Sequence, residues 1–263
     1  MKFLLHWPLW LSAAFVYGLF VALALTLATG IGVWARRRPV REAAVAGLVP
    51  PVGAAMLAGF LVWLALLASI ELRDVDDAER AVAAEAAALR TLGLLGGIAA
   101  PAASAGWPGQ LADYAGHALA NEWPGMSERG PDAGTAARLD AVQRGALMRF
   151  AAESPELRAA LRQAAQALVD ARQARLGVAA GHIPQVIWTA LLSCAVIVLS
   201  FAALIHARQA RAGRWIATLL GLLIGVQVHA VYVIDRPFLG TVSVSEAPLR
   251  AAIRQLLAPP SRP

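Results

Sequence analysis

Four runs of apolar residues, each long enough to cross a bilayer, are joined in pairs by short arginine-rich loops. The runs cover Pro8 to Trp34, Ala43 to Ile70, Ile183 to Ile205 and Trp215 to Ile234. A helix needs roughly 20 apolar residues to span ~30 Å of hydrocarbon, and each run meets that length. Such a chain has few folds open to it. Every backbone polar group inside the hydrocarbon must be bonded within the spanning structure. Long uninterrupted runs then specify helices. The composition agrees: 59% of residues are hydrophobic, against about 45–50% in a soluble domain.

The first run follows Lys2, so it has the start of a secretory signal. It continues for some 27 residues, whereas a signal core is about 7–15. An uncleaved span is the expectation. The single cysteine, Cys194, excludes an internal disulfide and reads as a small buried side chain in the third span.

Arginines set the expected orientation. Arg36, Arg37, Arg38 and Arg41 lie in the first short loop, and Arg208, Arg211 and Arg214 in the second. Short loops rich in arginine stay in the cytoplasm. Both loops are separated by an even number of spans, so they agree. The termini and the segment 71–182 are then expected on the outer, periplasmic side of a bacterial inner membrane. The net charge of +6 does not suggest nucleic acid. Residues 71–182 carry 11 arginines against 14 acids, and basic charge at the bilayer edge fits topology and lipid headgroups.

The organisation read along the chain is all-α. A first transmembrane hairpin covers 1–70, a helical extramembrane segment 71–182, a second hairpin 183–236, and a turn with an amphipathic helix 237–263. Pro50-Pro51 and Gly53 are expected to break the second span near its start. Val75, Ala78, Val82, Leu89 and Leu92 then continue a helix to about Leu95. A short helix is expected over Gln110 to Asn121, a loop over 124–134, and a helix from Thr135 to Ala152. Ser154-Pro155 reads as a helix start. Beyond it, Leu157, Leu161, Ala164, Leu168 and Ala171 step by four and three like a coiled-coil seam that needs a partner. Thr241 to Val244 reads as extended, with Ser245 capping a last helix.

The motifs of soluble enzymes are missing: no phosphate-binding glycine loop, no nucleophile elbow, no zinc-type spacing. The chain reads as no enzyme, with no cofactor and no metal. Asp74, Asp76, Asp77 and Glu79 are scattered around a helix by ~100° per residue and read as a solvated face. Glu85 falls inside the apolar stripe of its helix. A carboxylate there must be paired, protonated or water-facing. His229 lies inside the fourth span, near Gln227, and shares a face with Tyr232 and Arg236. Ionisable groups at that depth suggest a pathway, but a histidine bonded between helices fits equally well. Asp235, Arg236 and Pro237 end the span as an interfacial anchor, and Arg236 is expected to pair with Glu71 or Asp74.

The stretch Val231 to Gly240, followed by Val242-Ser243-Val244-Ser245 and Pro248-Leu249, resembles the bacterial bestrophin-like family of four-span membrane proteins. Ile183-Pro184 with Trp188 is similar to it, and Glu85-Ala86 looks like its acidic position. The resemblance implies kinship with bestrophins, which are pentameric anion channels. An acidic calcium-binding run after the last span and a phenylalanine-lined pore neck, both bestrophin features, are not evident. The implied activity is passage of inorganic anions by a homo-oligomer in the lipid bilayer. The alternative is a non-conducting scaffold or envelope protein that binds a partner through the exposed seam.

Overall fold

The computed structural model describes residues 7–37, 49–181, 183–207, 210–235, 237–238 and 243–258. Ten α-helices follow in order: α1 (Leu9–Arg37), α2 (Val49–Ile98), α3 (Pro101–Ser104), α4 (Trp107–His117), α5 (Met126–Arg129), α6 (Ala133–Met148), α7 (Pro155–Ala180), α8 (Gln185–Ile205), α9 (Ala210–Ile234) and α10 (Ala247–Leu257). No strand occurs among the described residues. Among the described residues, four helical stretches are long and apolar enough to cross a membrane. The protein is an all-helical, multi-pass membrane protein.

The chain forms two compact units. The first comprises residues 1–72, 182–235 and 240–242, and the second the remainder. The core of the first unit is built from Phe20 and Ala24 of α1, Phe60 and Leu64 of α2, Leu191 and Ala195 of α8, and Ile224 and Val228 of α9. Helix α1 packs against both α9 and α8. Gly221 and Gly225 permit the close crossing of α1 and α9. A Cβ on Gly221 would lie 2.7 Å from the Phe20 carbonyl oxygen, and one on Gly225 3.2 Å from the Tyr17 Cα. Small residues four apart let helix backbones approach where no hydrophobic effect drives association. These small residues join two helices of one chain.

In the second unit, α2 residues Val82, Leu89 and Leu92 pack with Trp107, Leu111 and Tyr114 of α4, Leu139 and Val142 of α6, and Leu161 and Leu168 of α7. Trp107 is fully buried. Its indole N–H donates to the Leu92 carbonyl at 2.9 Å, and its ring meets Phe150 edge-on at 5.3 Å. Helix α10 covers α4 through buried Leu249 and Ala252.

Several local expectations change. Pro50 and Pro51 are helical at the start of the described part of α2. The break expected near the start of this span concerns the junction with residues 43–48, which lie outside the described set. Helix α2 continues to Ile98. Helix α4 starts at Trp107, after Gly106 at a positive φ of 73°, and passes into one π-helical turn over Ala118–Glu122. The region expected as a loop contains a 3-10 turn, Trp123–Gly125, and the short α5. Helix α6 starts two residues before Thr135 because Asp132 caps it, accepting from the Thr135 N–H at 2.7 Å. Ser154 does cap α7, accepting from Leu157 N–H. Ser245 Oγ accepts from the Ala247 N–H at 3.2 Å, one residue ahead of the N-cap position, Glu246. Thr241 and Val242 lie outside the described residues, and Ser243 and Val244 have no regular structure.

A buried ionic cluster as the candidate functional site

The seam of α7 extends by one step beyond Ala171. Four residues on stands Arg175, so a guanidinium occupies the next core position. It is fully buried. From α2, Glu85 meets it: Arg175 Nε donates to Glu85 Oε2 at 2.6 Å and Nη2 to Oε1 at 3.2 Å. That two-point fit uses the planar fork of arginine. Glu85 Oε1 also accepts from the Tyr114 hydroxyl of α4 at 2.6 Å.

The same Arg175 Nη2 donates at 2.8 Å to Glu122 Oε1, at the end of the π turn. Arg175 Nη1 points at the Met126 sulfur, 3.0 Å away, and its guanidinium lies 5.7 Å from the Trp123 ring centre. Arg172, three residues earlier on α7, closes a second two-point pair with Glu122: Nε to Oε1 at 3.2 Å and Nη2 to Oε2. Glu122 Oε2 accepts in addition from the Asp132 N–H at 3.0 Å. All five charged or phenolic groups are buried.

Two acids and two bases cancel, and each carboxylate oxygen has a donor. Burial works to raise the Glu122 carboxyl. The Arg172 hydrogen bond, together with the charges of Arg175 and Arg172, outweighs it and holds the group below its ordinary range. Burial first, then the Glu85 charge, push the Tyr114 hydroxyl well above its ordinary value, so it stays a donor. No member of this set is left with a free nucleophilic atom. The arrangement fixes α2, α4, the π turn and α7 to one another.

The residues singled out from sequence fall in different places. Glu85 is paired; the solvent-reaching alternative does not hold, because the stripe is covered by α4 and α7. His229 is buried and its Nε2 lies 3.0 Å from Ser12 Oγ of α1. Its ring meets Tyr17 edge-on at 5.6 Å. Gln227, two residues earlier, is exposed on the other side of α9. Asp235 is buried, and its Oδ1 accepts from the Ile183 N–H at 2.6 Å. Pro237 is buried in the second unit and its carbonyl accepts from the Val244 N–H at 2.7 Å. Arg236 lies outside the described residues, and so does its expected pairing with Glu71 or Asp74. Glu71 itself is buried. Arg37, Arg211 and Arg214 are exposed at helix ends. Arg36 lies in the last turn of α1, while Arg38, Arg41 and Arg208 are outside the described set. On the acidic stretch, Arg80 pairs with Asp76 at 3.8 Å and with Asp77. Among the described residues, no group of three or more His, Cys, Asp or Glu side chains is placed to hold a metal ion.

The Bestrophin-like domain profile matches residues 14–249. The chain belongs to the bestrophin-like family. No curated protein matches this bestrophin-like chain. Among solved structures, it is similar to a point variant of a bacterial bestrophin homologue from Klebsiella pneumoniae. The TM-score is 0.72 at 12% identity, over 93% of this chain and 97% of the other. A second structure of a bestrophin homologue from the same organism gives 0.69 at 14% identity, over 92% and 96%. A structure described only as a membrane protein gives 0.70 at 12% identity, over 92% and 97%. At these identities the likeness is one of fold. The bestrophin-like fold thus extends over both units.

Proposed function

We propose that the protein is one subunit of a homo-oligomeric membrane pore for inorganic anions. The observation that carries this reading is Gln227, an exposed carboxamide within the fourth span. A polar side chain at that depth needs a polar partner or water. Its own chain offers His229 instead to Ser12. Among the described residues no hydrogen bond reaches Gln227, so a neighbouring copy or an aqueous path supplies its partner. Membership of the bestrophin-like family and the fold shared with bestrophin homologues support the same reading. The surface that motivated a partner-binding scaffold is taken up inside the second unit, because Leu161, Ala164, Leu168 and Ala171 are buried there. His229 is a structural tie between α1 and α9, and Glu85 one between α2, α4 and α7.

The arginine-rich loops support an orientation with both termini and residues 71–182 on the periplasmic side of a bacterial inner membrane. A cysteine at Ala159, exposed on α7, in a Cys194→Ala background is then labelled by impermeant reagents in intact cells. Labelling only after the inner membrane is opened reverses the orientation. For the pore, purified protein in liposomes is expected to pass chloride, and Gln227→Leu to change the flux or the oligomer mass. An intact oligomer with no flux above empty liposomes refutes it.

A further inference from the structure

Helices α1, α8 and α9 of the first unit enclose an open furrow of about 280 Å³. Its floor is Val16, Phe20 and Val228, each 8% exposed or less. Its rims are Phe15 and Leu19 of α1 and Val196 of α8. One end, toward Leu23 and Val196, lies deep in the spans. At the other, Trp188 and Tyr232 meet edge-on at 6.2 Å, one turn from the residues that begin α8 and end α9.

We propose that this furrow is a resident site for one acyl chain of a membrane lipid. Water does not fill it: a trapped water needs two to four polar partners, and the lining is almost wholly apolar side chains. An empty furrow forfeits dispersion contacts along its walls. A helix of a second copy, roughly 10–12 Å across with its side chains, is too broad to enter between helices that pack directly on each other. An extended hydrocarbon chain is narrow enough. The length also matches. Phe15 to Leu23 is about 12 Å at 1.5 Å per residue, close to half of a ~30 Å hydrocarbon core. The furrow therefore runs from the interface to near the mid-plane, within one leaflet. The aromatic pair stands where tryptophan and tyrosine favour headgroup depth, so the lipid's polar end lies beside Trp188 and Tyr232. This site is independent of conduction, and a failed flux experiment leaves it intact.

Native mass spectrometry from mild detergent tests it. The parent protein is expected to retain about one diacyl phospholipid per chain. Val196→Phe, which fills the furrow, lowers retention several-fold. Val186→Phe, on the outward face of α8 at 72% exposure, leaves it unchanged. Equal retention in both variants means a general lipid shell and overturns the proposal. So does a smaller oligomer in Val196→Phe with no retained lipid in the parent, which seats a second copy there. Phospholipid brominated along its acyl chain gives a second readout that needs no filled variant. It should quench the parent's fluorescence more than that of Trp188→Phe. Identical fractional quenching overturns the site.

Discussion

Arg175 is the residue on which the second unit turns. Replacing it by methionine leaves Glu85 and Glu122 in a closed interior with their main cation gone. Breaking a buried pair by removing one partner costs about 3–5 kcal/mol. Arg175→Met is therefore expected to lower the thermal midpoint of the detergent-solubilised protein sharply. Arg175→Lys should recover only part, since one ammonium cannot serve two carboxylates in the fork geometry. The acid limb of stability follows from Glu122. Its carboxyl is held below the ordinary value, so its contribution is complete above that value and is lost as pH falls through the lower, folded one. Unfolding followed from pH 6 downward should show this slope, and Glu122→Gln should flatten it. Some of this cluster was legible beforehand. Glu85 stood out because it interrupts an apolar stripe. Arg175 carried a signal as plain, one step past Ala171 in the four-three register, but the seam reading stops where charge begins. Glu122 had only a weak one, four residues after Ala118 in a segment that its proline makes look like a turn. Arg172 and Tyr114 carried none, because nothing in one sequence shows which carboxylate a buried arginine or phenol will meet.

At the level of elements, helices are legible where capping chemistry is local. Ser154 with Pro155 gave the start of α7 because an N-cap needs only a side-chain oxygen three residues from the N–H it satisfies. Ser154→Ala should cost about 1 kcal/mol, readable as a small drop in thermal midpoint and as faster amide exchange in the first turn of α7 alone. Asp132 plays the same part for α6, but it was hidden in a glycine- and proline-rich stretch whose turn signals outweighed it. The π turn falls at the end of the helix expected over Gln110 to Asn121, and the Glu122 it carries meets two arginines some fifty residues away, which no local pattern reveals.

For the whole molecule, the count of spans was readable because length and hydropathy suffice for it. The pairing of spans was not, because most apolar faces look alike to a single sequence. Gly221 and Gly225 specify the α1–α9 crossing through the absence of side chains. Asp235 ties the end of the fourth span to the start of the third by accepting from Ile183. Asp235→Ala leaves that N–H without this acceptor. The expected outcome is faster hydrogen exchange at Ile183, with exchange in the middle of α8 unchanged. Unchanged exchange at Ile183 would show that the bond does not hold the junction.

The contact between Ser12 and His229 has a consequence in time. Its two members are 217 residues apart, so α1 leaves the ribosome well before its main helical partner. At 5–20 residues per second, roughly 10–40 s of synthesis separates them. Throughout that interval α1 sits in the bilayer with its glycine-matched face uncovered and Ser12 without its histidine. A nascent chain stalled before α9 therefore leaves the face of Val16, Phe20 and Ala24 against lipid, with the Ser12 hydroxyl held only by the Leu9 carbonyl of its own helix.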